Sequence, residues 1–181
     1  TGTVTGPDSG TSNYVGGVVG LNSSSSGGSV TGCYFLKTTG VNESLQGIGN
    51  GSGTSSNVEA RTDDAFHSGE VAYLLGEAWG QNLMNEPKDN YPQLRAFDAV
   101  TPQVYKVAFM NDSEEHDAKY ANSGMTVTIP AAPSREGHTF TGWSDGTSTY
   151  QAGAKVEITS DTKFTAQWTK DTVNYTVTVT A

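Results

Sequence analysis

The apolar residues of this chain fall in short β-branched or aromatic clusters set among Gly, Asn, Ser and Thr, and no stretch of 18 apolar residues occurs. Such punctuation restricts the fold to brief strands joined by tight turns, and it excludes a coiled coil, a helical bundle and a helical membrane span. Hydrophobic residues are 34% and charged residues 16% of the 181 positions, both low for a globular chain, and 22 glycines with many Thr, Ser and Asn take up the difference. The 3 Trp, 8 Tyr and 6 Phe require burial, which excludes disorder of the highly charged kind. Lys and Arg number 10 against 19 Asp and Glu, for a net charge of −9. The cations are also never clustered, so the chain lacks what releases counterions from a duplex, and nucleic acid is not an expected partner.

The single cysteine, Cys33, forbids an internal disulfide and reads as a small buried hydrophobe, with Lys37 the only nearby cation. Thr1–Gly6 carries neither a charged n-region nor an apolar h-region, so no signal peptide or membrane-inserting segment is expected. Both ends of the chain lie within patterns that look unfinished, as in a piece of a larger protein. The composition fits exported bacterial surface proteins, and the expected location is extracellular or the cell surface.

Three stretches differ in pattern. In residues 1–58, Val4-Thr5-Gly6 returns 26 positions later as Val30-Thr31-Gly32, with Tyr14–Asn22 between and a weaker echo at Gly47-Ile48-Gly49-Asn50. This spacing suits stacked β-coils with tight corners at positive φ, and Ser23–Gly28 is loop-like. From Thr62 or Asp63 as N-cap, a helix is expected over Ala65–Leu75, with Gly76 after it and Gly69 able to split it in two. Its Phe66, Leu74 and Leu75, with Trp79, would cover the open end of the stack.

Beyond a boundary near Ala99–Pro102, five alternating runs predict strands: Val104–Phe109, Met125–Ile129, Thr139–Trp143, Lys155–Thr159 and Lys163–Trp168. Asp145-Gly146 and Ser160-Asp161 mark turns. The expected inward residues are Val107, Phe109, Val127, Ile129, Phe140, Trp143, Val156, Ile158, Phe164, Ala166 and Trp168. After a linker at 169–174, Tyr175–Thr180 alternates once more, as the first strand of a next module or an edge open to a partner strand.

Tyr105–Phe109, Ile129-Pro130, Pro133, Glu136–Trp143 with its Gly-x-x-Phe-x-Gly-Trp, Tyr150 and the closing Phe164-Thr165-Ala166-Gln167-Trp168 resemble the Listeria–Bacteroides (internalin B-type) repeat across residues 103–168. The resemblance implies a small β-grasp-like module of bacterial surface proteins. One departure is that Asn111–Asp117 replaces the usual small turn after the first strand, and it reads as a longer acidic loop. Residues 1–98 are similar to GLUG-motif regions of such proteins through Val15–Asn22, Gly32–Phe35, Ser68–Leu75, Trp79-Gly80-Gln81 and Tyr91–Leu94. Neither resemblance carries a catalytic set onto this chain.

The residues themselves offer little chemistry. His67, His116 and His138 are scattered, without a His at i+4 or a Cys-x-x-Cys, so no zinc site is expected. Asp112, Glu114, Glu115 and Asp117 supply hard oxygen atoms but lack the glycine and the spaced glutamate of a calcium loop. Asp63 and Asp64 read as helix-start charges rather than paired catalytic acids, and no nucleophile elbow is present. Lys106 and Lys163 carry no signature for an isopeptide crosslink. Trp143 and Tyr150 are the two aromatic candidates for stacking on a sugar, with core packing the competing role.

The sequence therefore points to a mainly β chain: the terminal coils of a Gly-rich β-solenoid with a short capping helix over 1–98, a β-grasp-like module over 103–168, and a linker with a first strand over 169–181. The expected function is a noncatalytic stalk or adhesion segment of a larger surface or secreted protein, without cofactor or metal, facing a host or cell-wall protein or glycan. The alternative is a glycan-binding accessory region of a multidomain carbohydrate-active enzyme or peptidase.

Overall fold

A computed structural model describes residues 17–22, 28–37, 46–50, 52–84, 91–96 and 101–172. The sequence features at Val4–Gly6, Tyr14–Gly16 and Tyr175–Thr180 lie outside these residues. The chain divides into two compact units between Val104 and Tyr105, and the described residues are mainly β.

In the first unit, strands β1 (Val19–Leu21) and β2 (Ser29–Leu36) are followed by β3 (Ile48–Asn50) and β4 (Thr54–Arg61). β3 pairs parallel to β1, with Val19 opposite Ile48, and β4 pairs parallel to β2, with Ser29 opposite Thr54 and Leu36 opposite Arg61. Each of the two later strands thus lies parallel beside one of the two earlier ones. Hydrogen bonds extend the pairing past the strand ends, from Gly17 N to Gln46 O (2.7 Å), Val18 N to Gly47 O (3.0 Å) and Asn22 N to Asn50 O (2.9 Å).

Phe35 is the buried centre of this stack. A Cβ at Gly17 would run into its ring, and one at Gly47 would meet both Val58 and Phe35, so these glycines are set by space. Buried Asn22 donates from Nδ2 to Thr54 O (3.0 Å), which satisfies an amide that would otherwise be costly inside. Midway along the long strands, Gly32 (φ 60°) and Asn57 (φ 53°) lie at one level between the paired positions Thr31/Ser56 and Cys33/Val58. The left-handed bend is therefore matched in both strands, on the two residue types that accept it most readily. Cys33 departs from the expected burial: it is half-buried on β2, and its thiol donates to Thr31 O (3.2 Å).

The helix splits at Gly69 into α1 (Asp63–His67) and α2 (Glu70–Leu74). Thr62 is the N-cap of α1, its hydroxyl accepting from Ala65 N (3.2 Å). The break changes which residues face inward. Ala65, Val71 and Ala72 are buried, Phe66, Leu75 and Trp79 are half-buried, and Leu74, expected to face inward, is exposed. Gln81 is the unforeseen internal residue: fully buried, it donates from Nε2 to Phe66 O (2.9 Å) and His67 O (3.2 Å), meeting carbonyls that the end of α1 leaves open. β5 (Trp79–Gly80) and β6 (Gln93–Leu94) form a short antiparallel pair.

The second unit contains β7 (Tyr105–Asn111), β8 (Glu114–Ala121), β9 (Thr126–Thr128), β10 (His138–Ser144), β11 (Thr149–Tyr150), β12 (Lys155–Glu157) and β13 (Thr162–Lys170). Five of them form one sheet in the order β11-β10-β13-β7-β8, and β9 pairs with β12. The first and last strands, β7 and β13, lie side by side and parallel in the middle, the β-grasp arrangement, while the remaining pairs are antiparallel. The β9/β12 ribbon supplies Val127 and Val156 to a core that also holds Val107, Phe109, Ile129, Trp143, Ile158, Phe164 and Ala166, with Phe140 and Trp168 packed against it. All eleven expected inward positions thus belong to this core or its margin.

Two local features set its geometry. Residues three apart on a regular strand face opposite sides of the sheet, yet Phe140 and Trp143 both pack on the core. A bulge between Phe140 and Gly142 restores the phase: Phe140 stands opposite Trp168, and Trp143 opposite Ala166. Gly142 has φ 147°, and a Cβ there would meet Thr149, Tyr150 and Gln151, which accounts for glycine in Phe-x-Gly-Trp. The second feature corrects the acidic loop expected at Asn111–Asp117. Only Asp112 and Ser113 form the turn, with Asp112 at φ 54°, and Asn111 pairs directly with Glu114. The remaining acidic residues begin edge strand β8, where charge faces water and discourages further pairing.

Candidate functional site

The sequence-nominated residues do not converge. His67 ends α1, with Nδ1 2.9 Å from Asp63 O and 3.3 Å from its carboxylate, and its ring lies 4.7 Å from that of Tyr91. This is an i,i+4 helix pair, backed by an aromatic ring. His116 is exposed on β8, its ring 5.9 Å from that of Trp143, and His138 opens β10 with Nδ1 2.9 Å from Glu136 O. Among the described residues, no three His, Cys, Asp or Glu side chains group as metal ligands would.

The acidic turn is partly neutralised. Asp112 pairs with Arg135 at 3.2 Å, and Glu115 pairs with Lys106 at 2.8 Å. The Lys106 ammonium therefore already has an exposed carboxylate partner, whose attraction is weak in water. Arg135 also lies 5.9 Å over the Trp168 ring, and the Trp168 indole N–H donates to Asn111 Oδ1 (3.2 Å). These contacts tie the β7/β8 turn to the end of β13.

The two aromatic candidates meet different surroundings. Trp143 has no exposed surface: Phe109 and Phe140 meet it edge to face at 5.3 and 5.6 Å, and its N–H donates to Pro130 O (3.2 Å). No face of that ring is open for a sugar to stack on. Tyr150 is half-buried, with its ring edge toward Phe164 at 5.6 Å and its hydroxyl donating to Asp145 Oδ2 (3.1 Å).

Asp145 was legible only as half of an Asp-Gly turn, yet it gathers the most contacts in its loop. Its Oδ1 accepts from Ser148 N (2.7 Å) and Thr147 N (2.8 Å). Those backbone donors, Ser148 first, hold its carboxyl below the ordinary 3.8, with a smaller contribution from Tyr150. A carboxyl whose folded value is depressed stabilises the fold above its unfolded value and loses that contribution as pH falls through the folded value. The turn is accordingly expected to loosen below about pH 3.9. Amide exchange at Thr147 and Ser148, followed during acid titration, should accelerate in that range in the parent protein; in Asp145→Ala it should already be fast at neutral pH. Equal exchange in the two proteins at neutral pH would dissociate the carboxylate from the turn.

Around these residues the second unit is a small mixed-sheet module whose polar contacts hold turns and strand ends in place. Residues 105–167, from the start of β7 into β13, match the Listeria-Bacteroides repeat domain. That repeat is found in bacterial surface proteins, and the family is typically noncatalytic. No curated protein matches the chain.

Proposed function

We propose that the chain is a noncatalytic, load-bearing stalk or adhesion segment of a bacterial surface or secreted protein. In this reading the paired turns of the first unit are the last coils of a GLUG-type β-solenoid, with α1 and α2 as its cap. The repeat match carries the reading, because it ties more than sixty consecutive residues to a module of surface proteins. The strand order supports it mechanically. A tether enters the module at β7 and leaves at β13, and these strands are parallel neighbours, with Thr162 opposite Val107 and Thr165 opposite Met110. Tension along the chain therefore loads their hydrogen bonds together in shear instead of opening them one after another.

Single-molecule pulling tests this. With thiol handles at Gln103 and Thr172 in a Cys33→Ser background, the module should resist a severalfold higher force than with handles at Glu136 and Thr172. The second geometry peels β10 from β13 starting at the His138/Lys170 pair. Unfolding Tyr105–Lys170 should release on the order of 220 Å of chain, at 3.3–3.6 Å per residue. Equal forces in the two geometries would remove the load-bearing reading.

A further inference from the structure

The turn between β10 and β11 holds the single Asp-Gly pair of the sequence, Asp145-Gly146. Ser144 pairs with Thr149 at its base, and Asp145 N donates to Ser148 O (3.2 Å) across it. Gly146 has φ 93° and open space where a Cβ would stand, so glycine is required by the backbone conformation and not by crowding. The same missing side chain leaves the Gly146 nitrogen unshielded beside the Asp145 carboxyl, and both residues reach solvent. Such a pair is chemically labile. The Gly146 nitrogen can bond to Asp145 Cγ, and the carboxyl hydroxyl leaves with the amide proton as water, giving a five-membered cyclic imide. Water then adds at the former main-chain carbonyl and breaks its bond to nitrogen. The product is isoaspartate, whose main chain runs through Cβ and Cγ; one water is lost and one regained, so the mass is unchanged.

The folded turn restrains both partners of the first step. The Gly146 N–H is committed to Ser144 Oγ (3.1 Å). The Asp145 carboxylate accepts at Oδ1 from Thr147 N (2.8 Å) and Ser148 N (2.7 Å), and at Oδ2 from the Tyr150 hydroxyl (3.1 Å). These three bonds favour the ionised group, which has no hydroxyl to lose, and they have to be given up as the carboxyl enters the ring. We propose that Asp145-Gly146 is a latent self-modification site: the closed turn preserves it, and opening of the β10/β11 hairpin exposes it to isomerisation to isoaspartate, which then keeps the turn from closing. The isomerised main chain is one methylene longer across a turn of four residues. It cannot both hold Ser144 opposite Thr149 and offer the Thr147 and Ser148 amides their acceptor. A reversible opening is thereby made permanent at the edge of the sheet.

Incubation of the whole chain at neutral pH, in buffer and in concentrated guanidinium chloride, tests the protection. Peptide mapping reads it, with aspartyl and isoaspartyl forms separated by chromatography and told apart by electron-transfer fragmentation. Isomerisation at Asp145 should be roughly tenfold or more slower in buffer than in denaturant, because hydrogen bonds to a charged group have to be given up before reaction. Tyr150→Phe removes one of the three partners and keeps the ring in place. It should isomerise several-fold faster than the parent in buffer, and at the parent's rate in denaturant.

A smaller difference between buffer and denaturant overturns the proposal, as does an Asp145 that stays intact in denaturant. Tyr150→Phe isomerising at the parent's rate in buffer would show that the partners of the carboxylate do not set the rate, and the protection by the turn would fall. The locking step is read after the denaturant is removed. Molecules carrying isoaspartate should exchange the Thr147 and Ser148 amides near the unfolded rate, while β13 regains its protection. Parental protection at Thr147 and Ser148 in those molecules would mean that the turn closes around the longer main chain, and the latch would be overturned.

Discussion

Replacing Trp143 by alanine is expected to unfold the second unit under conditions where the parent module is fully folded. The side chain is completely buried between Phe109 and Phe140, and its N–H is the donor to Pro130 O. Removing a buried aromatic ring of this kind costs about 3–5 kcal/mol, and a buried carbonyl that loses its donor adds roughly 1 kcal/mol. A module of this size has a total stability of only about 3–10 kcal/mol, from 0.05–0.15 kcal/mol per residue. The loss is therefore comparable to the whole. For so short a domain each kcal/mol moves the melting temperature by about 4–8 °C, so a fall of well over 10 °C is expected. Amide exchange along β7 and β13, read by mass spectrometry, should approach the unfolded rate. Protection within tenfold of the parent would mean that the ring is not the keystone its packing indicates. Tyr150→Phe provides the contrast: it removes only a half-buried hydroxyl contact to Asp145 and should stay within about 1.5 kcal/mol of the parent.

The strands at 105, 126, 138, 155 and 162 were readable because each alternates between a wet and a dry face, and the core positions followed from the same period. β8 was not readable. Its residues Glu114–Ala121 are charged, small or half-buried, and only Ala121 reaches the core. An edge strand protected by charge lacks the alternation that would reveal it. The Asp112-Ser113 turn was hidden for a related reason: Asp at positive φ does what a Gly-Gly pair would do, and the flanking acids made the whole run look like a loop.

In the first unit the purpose of the glycines was only half legible. Gly32 does carry a left-handed bend. Gly17 and Gly47 are small because Phe35 and Val58 occupy the space beside them, a tertiary fact that no local pattern encodes. The buried polar residues escaped notice for the same reason. Asn22 and Gln81 look like loop residues until the carbonyls that receive their amides are in place.

The glycine at position 17 gives the second large effect, and its cause can be separated from backbone strain. Its φ lies outside the left-handed range, so alanine is allowed by the backbone and would by itself gain about 0.4–1 kcal/mol through the unfolded state. Against this, the added Cβ would overlap the Phe35 ring at Cδ2 and Cγ, near the root of the side chain where a rotamer change gives little relief. Overpacking of a filled interior costs about 1–3 kcal/mol, so the net effect of Gly17→Ala should be destabilising. Phe35→Ala removes the buried centre of the stack and should cost about 3–5 kcal/mol. The decisive measurement is the double variant. Once the ring is gone the methyl group enters vacated space, so Gly17→Ala should be neutral or stabilising in the Phe35→Ala background. The resulting coupling of about 0.5–3 kcal/mol should be visible as β2 and β4 amide protection. Simple additivity of the two substitutions would show that Gly17 and Phe35 do not share one interior, and would leave the paired strands of the first unit without the packing that holds them together.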